Sequence, residues 1–143
     1  MKMNFIILII ISFFLCQTCG DKEDNCHKTI TFKNKSTDTL YVVGSTFYPD
    51  TSIYSGIPNP ILDPNFTMVL PDENNTRVLW GKDCIELAFK FSIPSDTMMI
   101  YVFDAKTLKV NTWETVKSNY LVLRRYDLSL QDLESLNWII AYP

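Results

Sequence analysis

Histidine occurs once, as His27, and glycine four times, at positions 20, 44, 56 and 81. Each scarcity excludes a class of chemistry. One imidazole with a few cysteines does not supply the spaced donors of a zinc site, so no metal is expected. His27 stands beside Cys26 in a polar lead-in with no third group to orient it, which is not the arrangement of a Cys–His nucleophile; it reads as a solvated side chain. The scattered glycines leave no GxGxxG turn and no phosphate-cradling loop, and no serine stands in a G-x-S-x-G elbow. There is no run of the ~20 apolar residues that a membrane-crossing helix needs. Cations are also short, with 13 Lys and Arg against 16 Asp and Glu, so the basic footprint of a nucleic-acid-binding protein is missing. Paired carboxylates for glycoside hydrolysis exist on paper, as Asp50 with Asp63 or Asp104 with Asp127. But Asp83, Asp96, Asp104 and Asp127 all stand where turns and helix caps favour Asp. The chain is expected to be no enzyme and to carry no cofactor.

The N-terminus is more informative. Lys2 precedes an apolar run over 5–15, the length of a signal-peptide h-region and too short to span a bilayer. The run ends at Cys16 and Cys19. An h-region ending on a cysteine resembles a lipobox, in which that thiol receives a diacylglyceryl group and becomes the first residue of the mature protein. Cys16, Gln17 and Thr18 precede Cys19, whereas Phe13, Phe14 and Leu15 precede Cys16. The small Thr18 favours Cys19; an ordinary secretory signal with two incidental cysteines is the competing reading. Residues 20–24, Gly-Asp-Lys-Glu-Asp, resemble the acidic surface-export signal of some Gram-negative lipoproteins. The expectation is a signal peptide over 1–18, a tether over 19–27 bearing a palmitate-type anchor on Cys19, and one β-rich domain over 28–143, in the outer membrane and facing outward.

Removing Lys2 with the signal leaves twelve cations against sixteen acids, a net charge of −4. About 125 residues suffice for one domain with a sizeable core. Exported proteins fold where disulfides persist, so Cys26 and Cys84 are expected to bond, with two buried thiols as the alternative.

Alternation of apolar and polar residues predicts a strand over 28–33, and a β-branched run predicts its hairpin partner over 39–43. Two further strands are expected over 66–70 and 76–80, around a turn. Asp83 followed by Glu86 has the form of an N-terminal cap, predicting a helix over 84–90, with a strand as the alternative because Leu87, Phe89, Phe91 and Ile93 also alternate. The continuous apolar run 98–103 predicts a central strand buried on both faces. Short helices are expected over 104–109, 112–118 (with Asn111 and Glu114 as its cap) and 129–136, and strands over 120–126 and 138–142. The sum is a mainly β, sandwich-like antiparallel domain with two or three short helices, α+β being the alternative. Trp80, Trp113 and Trp138 are expected in the core.

Ser95 to Asp104, Trp113 and Val116, Tyr120 to Ser129, Leu136-Asn137-Trp138 and the closing Tyr142-Pro143 together resemble a group of small lipoproteins from gut anaerobes. The resemblance covers most of the mature chain and implies the envelope address; no activity comes with it.

Residues 44–65, broken by Gly and Pro, form the candidate ligand loop, with Phe47, Tyr48 and Tyr54 among Ser, Thr and Asp. Exposed aromatics beside polar groups suit a sugar or protein surface; the alternative is that the rings fold back over the end of the sandwich. Of the adjacent Arg124 and Arg125, one is expected to pair with an acid. Thr39 and Thr97 lie in Asp-Thr-aliphatic patterns that resemble acceptors for O-glycosylation. The expected role is a non-enzymatic binding or interaction module, its partners the membrane and a protein or glycan. An accessory subunit of an envelope complex is the second reading.

Overall fold

The computed structural model describes residues 26–50, 52–53, 56–79 and 83–143, with only the backbone at Val78. The strand β5 (Thr97–Asp104) organises them. Its six inner residues, Met98 to Phe103, are all buried. Successive side chains leave a strand on opposite faces, so an unbroken apolar run must be covered from both sides. β2 (Leu40–Ser45) pairs antiparallel with β5 along one edge and β6 (Arg124–Ser129) along the other. The two-residue β3 (Met68–Val69) completes a four-stranded sheet in the order β3-β2-β5-β6. A second, three-stranded sheet has the order β4-β1-β7. In it β1 (Ile30–Asn34) runs antiparallel to β4 (Asn74–Leu79) and parallel to β7 (Ile139–Tyr142).

Three layers result. One core lies between the sheets, where Ile30, Phe32, Leu79 and Ile140 meet Leu40, Val42, Met98, Ile100 and Val102. Helices α2 (Ile85–Phe91) and α5 (Leu130–Ser135) close it with Ile85, Phe89 and Leu133. The second core lies on the opposite face of β5. There Tyr41, Met99, Tyr101 and Phe103 pack against Leu108 of α3 (Ala105–Val110) and Trp113 and Val116 of α4 (Trp113–Ser118), and against Ile53 and Ile57 of the long loop. The Phe103 and Trp113 rings meet edge to face at 5.5 Å, and Trp113 Nε1 donates to the Ile57 carbonyl at 3.1 Å. Each such side chain contributes ~1.5–3 kcal/mol on leaving water.

The mainly β or α+β expectation holds, with two mostly antiparallel sheets and five short helices. Its finer parts differ. Strands β1 and β2 form no hairpin: they belong to different sheets, and their apolar faces, Ile30 and Phe32 against Leu40 and Val42, pack face to face. Strands β3 and β4 are likewise split. The expected strand over 66–70 shrinks because Pro64, with its φ already set for a first helical turn, starts α1 (Pro64–Thr67). The buried Thr67 hydroxyl lies 2.6 Å from the Pro60 carbonyl and 2.9 Å from that of Asp63.

The sixth strand starts later than expected. Tyr120 takes a left-handed φ of 49° after α4, Leu121 and Val122 pack on the second core, and the Leu123 N–H reaches the Val102 carbonyl at 2.9 Å. The caps differ too. Thr112, and not Asn111, caps α4, accepting from the Thr115 N–H. Asp104 caps α3, and Ser129 with Asp132 forms a full capping box on α5.

Strand β7 is the partner of β1, buries Ile140 completely, and accepts the Tyr126 hydroxyl at the Ala141 carbonyl. Deleting residues 138–143 is therefore expected to abolish cooperative unfolding, checked by thermal circular dichroism. A truncated chain melting at the parental temperature contradicts this account.

Candidate binding groove and N-terminal clasp

The long loop is held from beneath. Arg125 Nε and Nη2 grip Asp127 at 2.6 and 2.8 Å, and Nη1 donates to the Asp50 carbonyl at 3.0 Å. Tyr101 Oη donates to the Ser52 carbonyl at 3.3 Å, and burial, only partly offset by Arg125, pushes its phenol up to about 12. With Trp113 on the Ile57 carbonyl, three loop carbonyls are tied to β5, β6 and α4. The expected division of the arginines holds. Arg125 pairs with an acid, while Arg124, on the other face of the strand, lies 4.9 Å over the Tyr126 ring.

Ile53 and Ile57 of this loop are folded inward, whereas Leu62 is exposed. Phe47 and Tyr48 are 53% and 37% exposed, so these rings do not cap the sandwich end. Tyr54 and Trp80 lie outside the described residues.

Beside Phe47 the two sheets part. A groove of about 410 Å³ runs between β2 at Val43–Ser45 and β4 at Arg77 and Leu79. The buried Leu79 and Met98 form its floor, and Phe47 and the 54% exposed Phe66 stand at its rim. Gly44 gives it depth, because a Cβ there would lie 3.2 Å from Leu79 Cδ2. Arg77 is the one charged residue among the described lining residues, and its guanidinium forms no ion pair with a described residue.

The groove also exposes a strand edge. The Thr39 carbonyl accepts from the Ala105 N–H on the β5 side. In an antiparallel ladder successive residues alternate their hydrogen-bonding direction, so Leu40, Val42 and Gly44 turn theirs the other way. β3 pairs only with Leu40 and Tyr41. Beyond it no described strand pairs with the exposed Gly44 on that side.

A second assembly stands where the described chain begins. Cys26 and Cys84 form the expected disulfide, Cα to Cα 5.3 Å. Both sulfurs lie within 4.8 Å of a Glu86 oxygen, but bonded to each other they are not thiolate donors for a metal. His27 is exposed, as its sequence reading as a solvated side chain expects, but it is also held by partners. Its Nδ1 lies 2.6 Å from Glu86 Oε1, its backbone N–H donates to the same carboxylate at 3.0 Å, and its ring stacks on Trp138 at 4.1 Å. Glu86 is thus engaged by His27, and the helix cap is Cys84, with no side-chain cap bond from Asp83. Asn137 and Trp138 carry consecutive positive φ angles of 50° and 60°. The surroundings impose this, since the Trp138 N–H reaches the Leu133 carbonyl and its own carbonyl accepts from Thr31, both at 2.9 Å.

Burial pushes the Glu86 carboxyl up, but hydrogen bonds from the His27 ring and backbone outweigh it and leave the pKa below its ordinary 4.5. A carboxylate with a depressed folded pKa adds stability above its unfolded pKa and loses it as pH falls through the folded value. Glu86→Gln is therefore expected to flatten the fall of the melting temperature below about pH 4.5, read from melts between pH 3 and 6. An acid limb identical to the parent's rules the contribution out.

The carboxylate pairs read from sequence serve other ends. Asp104 accepts from the Lys106 and Thr107 N–H groups, Asp127 is held by Arg125, and Asp50 by Ser52. Asp104 is the last residue of β5, whereas Asp127 pairs with Met99 near its start. Five residues of strand separate those two levels by about 17 Å, well beyond a hydrolytic pair. Thr39 and Thr97 stand at turn-to-strand junctions, both partly buried. Cys19 lies outside the described residues, among which no helix is long and apolar enough to cross a membrane.

Sequence reasoning singled out Phe47 and Tyr48 by their composition, and of the two only Phe47 lines the groove. It missed Phe66, Arg77 and the open side of Gly44, which lie on three separate segments and carry no local signal. Compared with protein-family models, curated proteins and solved structures, the chain matches none.

Proposed function

We propose that the chain is a lipid-anchored, non-enzymatic binding module of the bacterial outer membrane that takes its ligand in the groove between β2 and β4. The carrying observation is the pairing of two exposed rings, Phe47 and Phe66, over an apolar floor in an open hollow of about 410 Å³. Binding sites are typically concave and mostly apolar, with a few placed polar groups, and here the polar groups include Arg77 and the free backbone edge at Gly44. An extended peptide adds to such an edge by main-chain hydrogen bonds, which favours a protein segment with an acidic side chain over a glycan. The anchor rests on the 5–15 apolar run and Cys19, the outward orientation on the acidic residues 21, 23 and 24, and kinship with small lipoproteins of gut anaerobes belongs to the same reading. O-glycosylation at Thr39 and Thr97 would add to the intact mass, and a mass equal to lipid plus polypeptide disposes of it.

The test is binding of the folded protein to an array of extended acidic peptides and to a glycan array, beside Phe47→Ala and Phe66→Ala. Both rings are exposed, so stability should stay within about 0.5 kcal/mol of the parent. Binding should fall at least tenfold, the ~1.4 kcal/mol or more expected of an aromatic hot-spot contact. Peptide or glycan binding that both substitutions leave untouched places the site elsewhere.

A further inference from the structure

We propose that the end of the domain carrying α2 rests on the lipid surface, with Leu87 and Phe91 inserted at the headgroup level. The inference relies on the Cys19 anchor of the preceding reading and adds an orientation to it. Only seven residue steps separate Cys19 from Cys26, a reach of at most about 25 Å when fully extended. The chain then has no freedom to wander. Cys26 is bonded to Cys84, the residue before α2, the His27 carbonyl accepts from the Ile85 N–H at 2.9 Å, and the His27 ring is fixed between Glu86 and Trp138. The anchored end of the protein is therefore the N-terminus of α2.

That helix is apolar on both sides. Ile85, Ala88 and Phe89 face the core. Outside, Leu87 and Phe91 are 54% and 72% exposed, Phe91 more than any other exposed aromatic among the described residues. Spaced four apart, they share a face. The Lys90 ammonium lies 5.1 Å from the Phe91 ring, as a cation would that snorkels from an apolar surface to the headgroups. Leu136 and Ile139, flanking the clasped Trp138, are also exposed. Seven residues are too few to hold a membrane alone. Tethering makes the contact intramolecular, so a small apolar pair suffices. A membrane is the occupant that the short tether keeps within reach of this face. Lys90 and the exposed Asp83 oppose each other in sign, so apolar insertion carries the contact, and salt is expected to change it little.

The test holds the anchor constant. In the exported chain from Cys19 onward, with Cys26 and Cys84 bonded, Cys19 is the one free thiol and couples to a maleimide lipid in phosphatidylethanolamine–phosphatidylglycerol vesicles with brominated acyl chains. Phe91→Trp is compared with Val110→Trp, an equally exposed position in α3, which follows the far end of β5. Tryptophan quenching above the parent protein should be at least twofold greater at 91 than at 110, and Leu87→Asn should reduce it. Quenching at 91 no greater than at 110 overturns the orientation. Metabolic labelling of Cys19 with palmitate tests the anchor separately, so the two failures are distinguishable.

Discussion

Replacing Cys84 by Ala, or reducing its bond to Cys26, is expected to cost about 4 kcal/mol, from the chain entropy of a loop of about 58 residues. The bond spans 58 positions in sequence and joins the start of the described chain to the head of α2. Its loss also frees the His27 backbone and ring from Glu86 and Trp138, so the measured cost should not fall below the loop value. For a domain of this size that is a drop of about 15 °C in melting temperature. Urea unfolding with and without reductant checks it, and the slope should rise as well, because an uncrosslinked denatured chain exposes more surface. Equal midpoints for the two forms would show that the clasp merely accompanies the fold.

Asn34→Ala is the second large effect, expected to cost about 3 kcal/mol or more. Asn34 is fully buried. Its Nδ2 donates to the Asp38 carbonyl at 2.7 Å, the Leu70 carbonyl at 3.1 Å and the Val69 carbonyl at 3.2 Å, while its Oδ1 accepts from the Ser36 N–H and hydroxyl at 2.9 and 2.7 Å. One amide thus turns the chain between the two sheets and ties that turn to β3. Truncation removes all five bonds, at ~0.5–1.5 kcal/mol net each, although the Leu70 and Asp38 carbonyls keep the Glu73 N–H and the Ser36 hydroxyl as donors. Asn34→Asp should be worse near neutral pH, since a carboxylate would face those same carbonyls with no proton to give. Chemical denaturation of the three proteins measures the series. An alanine variant within 0.5 kcal/mol of the parent would mean that the turn is held by its backbone.

The strength of Asn34 was not legible in the chain, where Asn-Lys-Ser-Thr-Asp announces a turn and nothing more. Turn residues show that the backbone reverses; they do not show whether the next strand lies beside the last or across a core from it. The same ambiguity placed β3 next to β4. Glu86 misled for a related reason. Its spacing from Asp83 suits a helix cap, but a carboxylate serves whichever donor tertiary structure brings closest, and His27 arrives from 59 positions away. The groove was half legible, because exposed rings in a Pro-rich loop stand out, whereas Phe66 and Arg77 become neighbours of Phe47 only through pairing.

Local chemistry sufficed for the doubly buried β5, whose unbroken apolar run admits no solvent face, and for the β-rich class of the domain. It pointed to the pairing of Cys26 with Cys84 but left two buried thiols open, and the structure decided for the bond. Tertiary structure alone decided which strands share a sheet, the parallel seating of β7 on β1, the fixing of His27 and the open edge at Gly44. These depend on which apolar faces cover each other, a free energy summed over residues far apart in the chain, and no window of sequence contains that sum.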